Sequence, residues 1–83
     1  MTEPTLVVDA SVAIAASHSP VGFAALRRFR LVAPQLLWFE APSVMHEMAW
    51  RRQISSEHAA AMLGRLLASP IAAATPDGLT QMA

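Results

Sequence analysis

The sequence predicts an α/β domain, a parallel sheet with helices packed on both of its faces. Three observations carry this. Short apolar runs recur at Leu6-Val7-Val8, at Leu31-Val32-Ala33 and from Ile71 to Thr75. Each ends at a proline or a polar residue: Asp9, Pro34 and Thr75-Pro76. Between them lie segments long enough for helices, and alternation of this kind implies parallel strands joined by right-handed crossovers.

Thr5 to Val8 is β-branched and apolar and reads as a buried strand. Asp9 or Ser11 then caps a short helix through Ala16, which Ser17-His18-Ser19 breaks. Ser19-Pro20 has the form of a cap followed by proline at the first helical position, so a second helix is expected to about Arg28. Leu31 to Ala33 is the second strand. Pro34 opens a helical stretch through Leu36, Leu37, Trp38 and Phe39 to about Gln53. Pro42 lies inside it, where it removes the bond to the Trp38 carbonyl at a cost of roughly 3 kcal/mol. A kink at Pro42 or a fresh start near Glu40 is therefore expected.

Ser55 caps the next helix, with Glu57 in its first turn. Ala59, Met62, Leu63, Leu66 and Leu67 follow the spacing of a single buried face. Ser69-Pro70 ends that helix, Ile71 to Thr75 forms a third strand, and Asp77 caps a last helix. The whole chain, residues 1–83, is one domain with about three strands.

Composition narrows the function classes. The chain has 83 residues, 54% hydrophobic and 14% charged, with zero formal net charge. That ratio excludes a disordered chain and leaves apolar surface for a partner or a second copy. Without cysteine, thiolate metal sites and disulfides are excluded. Met1-Thr2-Glu3-Pro4 lacks a basic leader, and Asp9 interrupts an apolar stretch already too short to span a bilayer, so a cytoplasmic protein with no membrane partner is expected. No glycine-rich phosphate loop is present, because Gly22, Gly64 and Gly78 all fall outside strand-to-helix turns.

The chemistry rests on two lone acids. Asp9 follows the first strand and Glu40 follows the second, and carboxylates at the carboxyl ends of parallel strands stand where open α/β sheets bind ligands. Each has a plain structural reading, Asp9 as a helix cap and Glu40 as an acid favoured by a helix dipole. Their shared position, among apolar neighbours that disfavour an unpaired charge, points instead to a divalent cation. Ser11 can hydrogen-bond a carboxylate or a metal-bound water, or simply cap. Glu47 stands four residues before Arg51 and reads as an exposed ion pair. His18, His46 and His58 have no paired spacing and read as surface or cap residues. Arg27, Arg28 and Arg30, with Arg51 and Arg52, make at best a modest footprint for nucleic acid, and solvated helix ends explain them at least as well.

Val7-Val8-Asp9-Ala10-Ser11-Val12 and Leu31-Val32-Ala33-Pro34-Gln35-Leu36-Leu37-Trp38-Phe39-Glu40 resemble the PIN domain of VapC-type toxins. The likeness continues through Val44-Met45, Trp50-Arg51-Arg52, Ile54-Ser55 and Leu66 to Ile71, in order along essentially the whole chain. The resemblance implies a PIN-like, Rossmann-like sheet and a Mg²⁺- or Mn²⁺-dependent endoribonuclease, silenced by a VapB-like antitoxin. It implies that Asp9 and Glu40 are the catalytic metal ligands and that Ser11 supports Asp9. Ser43, preceded by Pro42, stands where the family often carries an asparagine beside the glutamate. The family's later aspartates and its last two strands would fall beyond Ala83. The resemblance therefore implies a C-terminally incomplete domain with little or no nuclease activity on its own.

Two other classes compete. One is a non-catalytic protein that binds an antitoxin, or itself, through an apolar helix surface. The other is a phosphotransfer domain with Asp9 as nucleophile, which Ser11 disfavours by occupying the place of a second aspartate.

Overall fold

The computed structural model describes residues 3–74. Strand β1 (Thr5–Val7) leads into helix α1 (Ala10–Ser17), and β2 (Arg30–Pro34) leads into α2 (Leu37–Trp50). Helix α3 (Ser56–Leu67) precedes β3 (Ala72–Ala74). The strands form one parallel sheet in the order β1-β2-β3. Thr75 and Asp77, with the last helix expected there, lie outside the described residues.

The strands are short, and their ends have local causes. Val8 extends β1 by one hydrogen bond, its N–H reaching the Val32 carbonyl at 2.7 Å. At the other end the Arg30 N–H reaches the Pro4 carbonyl at 2.8 Å. Pro34 closes β2 because it has no N–H to offer the ladder. As the central strand, β2 buries Leu31, Val32 and Ala33 in succession.

Among the described residues the three helices share one face of the sheet, and the last expected helix, which would bear on the other face, lies outside those residues. Helices α1, α2 and α3 all touch one another, and their Ala13, Leu37, Ala41, Met45, Met62 and Leu66 share one core with Val8, Leu31 and Ala33. On the opposite face Val32 is buried but stands outside that core, and Val7, its partner in register, is 66% exposed. The physical reason is strand order. Two right-handed crossovers that step the same way across a sheet deliver their helices to the same face.

The helix expected from Ser19-Pro20 to Arg28 is replaced by turns and a single 3₁₀ turn at Ala24–Leu26. Ser19 Oγ does accept the Val21 N–H, at 3.3 Å. However, Gly22 lies directly against the end of α1, where an added Cβ would meet the Ala16 carbonyl oxygen at 1.8 Å. Close passage over α1 sets the chain's path there, and weak amphipathicity offers no competing helix.

Helix α2 begins at Leu37, three residues before Glu40, and continues unbroken past Pro42. No restart occurs, because Leu37, Ala41 and Met45 bury one stripe that spans the proline. The helix ends in paired reverse bonds, from Gln53 N–H to the Met48 carbonyl (2.9 Å) and from Arg52 N–H to the Ala49 carbonyl (3.0 Å). That closure forces Arg52 to φ 59°, a left-handed position usually held by glycine.

Helix α3 follows its predicted cap and periodicity, with Ser55 Oγ accepting the His58 N–H at 3.0 Å. Met62 and Leu66 are fully buried. Leu67, expected on the same face, is 67% exposed because it falls at the margin of the stripe in the last turn.

Candidate functional site

Parallel, in-register pairing of Val7 with Val32 sets the carboxyl ends of β1 and β2 side by side. Asp9 lies two residues beyond β1 and Glu40 lies in the first turn of α2, the helix that leaves β2. Both acids therefore belong to the same edge of the sheet.

Asp9 is the N-cap of α1, with extended backbone (φ −91°, ψ 177°). Its Oδ1 accepts the Val12 N–H and the Ser11 hydroxyl, each at 2.9 Å. Both bonds converge on Oδ1, and Oδ2 receives neither. The Val12 amide, and after it the Ser11 hydroxyl, hold the Asp9 carboxyl below its ordinary value, so it is a carboxylate at neutral pH. Ser11 thus takes its expected place beside Asp9, and the capping role of Asp9 is real.

Glu40 is exposed, and Ser43 is exposed three residues further along α2. Asp9 is exposed as well. This overturns one premise drawn from the apolar neighbours. Water reaches both carboxylates, so neither needs a counter-ion to relieve burial. A rim open to water still suits Mg²⁺, which keeps several waters and takes one or two carboxylates. Asp9 Oδ2 and the Glu40 carboxylate are the groups that fit such an ion, although among the described residues no cluster of three or more metal-binding side chains occurs.

Other expected residues fall elsewhere. Glu47 and Arg51 form the anticipated ion pair at 2.9 Å, on the exposed side of α2. A cleft of about 270 Å³ lies between α2 and α3, lined by His46, Ala49, Trp50, Ser56 and Ala59, and it holds neither acid. His18 and His58, which have no motif spacing, come within 3.0 Å of each other. No sequence signal announces that contact, since 40 residues separate the two rings.

Among the described residues no helix is long and apolar enough to cross a membrane. The chain matches no family model, no curated protein and no solved structure.

Proposed function

We propose that this chain is the PIN-like portion of a Mg²⁺- or Mn²⁺-dependent endoribonuclease toxin, held in check by a VapB-like antitoxin. The observation that supports the reading is the common edge shared by Asp9 and Glu40 at the ends of neighbouring parallel strands. Asp9 and Glu40 would hold the ion, with Ser11 and the Val12 amide engaging Oδ1 and leaving Oδ2 for the ion. The ion, when bound, supplies an activated water and offsets charge developing on the RNA phosphate. Asp9 contributes a carboxylate that stays ionised well into acid, and Glu40 contributes a negative charge at a helix start, where the dipole favours it.

Two carboxylates hold Mg²⁺ or Mn²⁺ less tightly than a fuller set. The 83-residue chain is therefore expected to bind Mn²⁺ weakly and to cleave RNA slowly or not at all. Mn²⁺ titration followed by electron paramagnetic resonance tests the reading. Binding that is lost in Asp9→Asn and Glu40→Gln supports it. Failure to bind Mn²⁺, or binding indifferent to both substitutions, removes it.

One observation favours a second, non-catalytic reading. Phe39 and Trp50 on α2 are 69% and 81% exposed, and Trp50 lines the cleft between α2 and α3. Exposed aromatic surface of this kind suits an antitoxin segment or a second copy. Antitoxin binding without metal binding at Asp9 would select it.

A further inference from the structure

His18 and His58 meet where the end of α1 reaches the first turn of α3, far along the chain from each other. His18 is the C-cap of α1, and the His58 N–H is tied to the Ser55 cap of α3. His18 Nδ1 and His58 Nε2 are 3.0 Å apart, the ring centroids are 5.3 Å apart, and the ring planes differ by 22°. With the nitrogens that close, such a centroid separation leaves one ring radius on either side. Both nitrogens therefore lie on the line between the centroids. The rings meet edge to edge in nearly one plane, so the contact is an N–H···N hydrogen bond rather than a face-to-face stack.

A line of that kind holds one proton. When both rings are protonated, both facing nitrogens carry hydrogen, so two N–H groups oppose each other and two cations sit in contact. We propose that His18 and His58 form a one-proton link that docks the end of α1 on the start of α3 and opens when both rings are protonated. The helix ends set its direction. The end of α1 presents carbonyls, which suit the partner that bears the shared N–H, and the start of α3 presents amides, which suit the partner that offers a lone pair. His18 Nδ1 is accordingly the donor and His58 Nε2 the acceptor.

Among the described residues, the junction brings a guanidinium as well as a carboxylate to the pair. On α3, Arg65 donates to the Ser17 carbonyl at 3.0 Å, which sets a guanidinium at the same junction, and Glu57 flanks His58. On α1 the residues from Ala10 to Ser17 carry no ionisable group, and Asp9 is at the opposite end. From α2, which packs against both helices, His46 lines the cleft with Ala59. Glu47 is engaged with Arg51, and that is the sole ion pair among the described residues. Among the described residues no carboxylate is bonded to either ring.

The test uses the full chain with ¹⁵N-labelled histidine. Long-range proton–nitrogen spectra and melting temperatures are followed from about pH 8 to about pH 5, the range in which imidazole changes charge. Spectra of the wild-type chain should show His18 Nδ1 as donor, His58 Nε2 as acceptor, and two coupled proton uptakes. Over the same range the wild type should lose about 4 °C more in Tm than a His18→Ala, His58→Ala double variant. Independent titration of the two rings overturns the proposal, and so do Tm curves of wild type and double variant that stay parallel. Should the double variant fail to fold, the wild-type spectra alone decide.

Discussion

The Ser11 hydroxyl donates to Asp9 Oδ1 at 2.9 Å, and the Val12 amide donates to the same oxygen at the same distance. One carboxylate oxygen thus serves the fold while the other receives neither bond. Asparagine is as good an N-cap as aspartate but lacks the charge a cation needs. Asp9→Asn should therefore keep Tm within a degree or so of wild type yet abolish Mn²⁺ binding. Asp9→Ala should lose both, with Tm falling by several degrees, as a small domain does when a cap is removed. Calorimetric melting beside Mn²⁺ titration separates the two roles. Equal Mn²⁺ affinity in Asp9→Asn and wild type would leave Asp9 as a cap alone.

The same hydrogen bonds predict an acid limb in stability. The Val12 amide and the Ser11 hydroxyl stabilise the charged form of Asp9, so its folded value lies below its unfolded one. A group shifted downward contributes stability that is complete above the unfolded value, about 3.9 for aspartate, and is lost as pH falls through the folded one. Urea midpoints should accordingly decline below about pH 4, and Asp9→Asn should remove part of that decline. A variant whose acid limb matches that of wild type would contradict the assignment.

Some of this architecture could be read from the residues. Ser55 followed by the spacing of Met62 and Leu66 specified α3 and its buried side, and apolar runs closed by Asp9 and Pro34 located β1 and β2. The rim position of Asp9 and Glu40 followed from that alternation alone. What escaped was set by contacts across the fold. Gly22 takes its conformation from the Ala16 carbonyl, so Ser19-Pro20 misdirected toward a helix. Exposure of Asp9 depends on what stands opposite it, which its apolar neighbours in sequence do not reveal. The His18–His58 contact depends on how α1 crosses α3. Strand order, rather than alternation, decided that the three helices share one face.

Arg52 pays a backbone penalty that glycine would not. Its φ of 59° closes α2, and a residue with a Cβ loses roughly 1–2 kcal/mol in that region. The Arg52 side chain is exposed. Arg52→Gly should raise stability by about 1 kcal/mol, after the added flexibility of the unfolded chain is set against the relieved strain. Chemical denaturation measures this directly, and a destabilised variant would mean that the guanidinium makes a contact worth more than the strain.

Glycine at positions 22 and 64 should respond in opposite directions to the same added methyl group. At Gly22 a Cβ would lie 1.8 Å from the Ala16 carbonyl oxygen and within 3 Å of two further backbone atoms of that residue. Backbone cannot swing aside as a side chain can, so Gly22→Ala should destabilise by about 1–3 kcal/mol and pull the turn away from α1. At Gly64 nothing lies within 4 Å of the added carbon, and the residue is inside α3. There alanine gains about 1 kcal/mol of helix propensity without a contact to disturb, so Gly64→Ala should raise Tm by about 4 °C or more. Melting curves of the two variants, side by side, check both signs. A neutral Gly22→Ala would show that the passage over Ala16 is wider than 1.8 Å implies, and would reopen residues 20–28 to the helix that Ser19-Pro20 suggests.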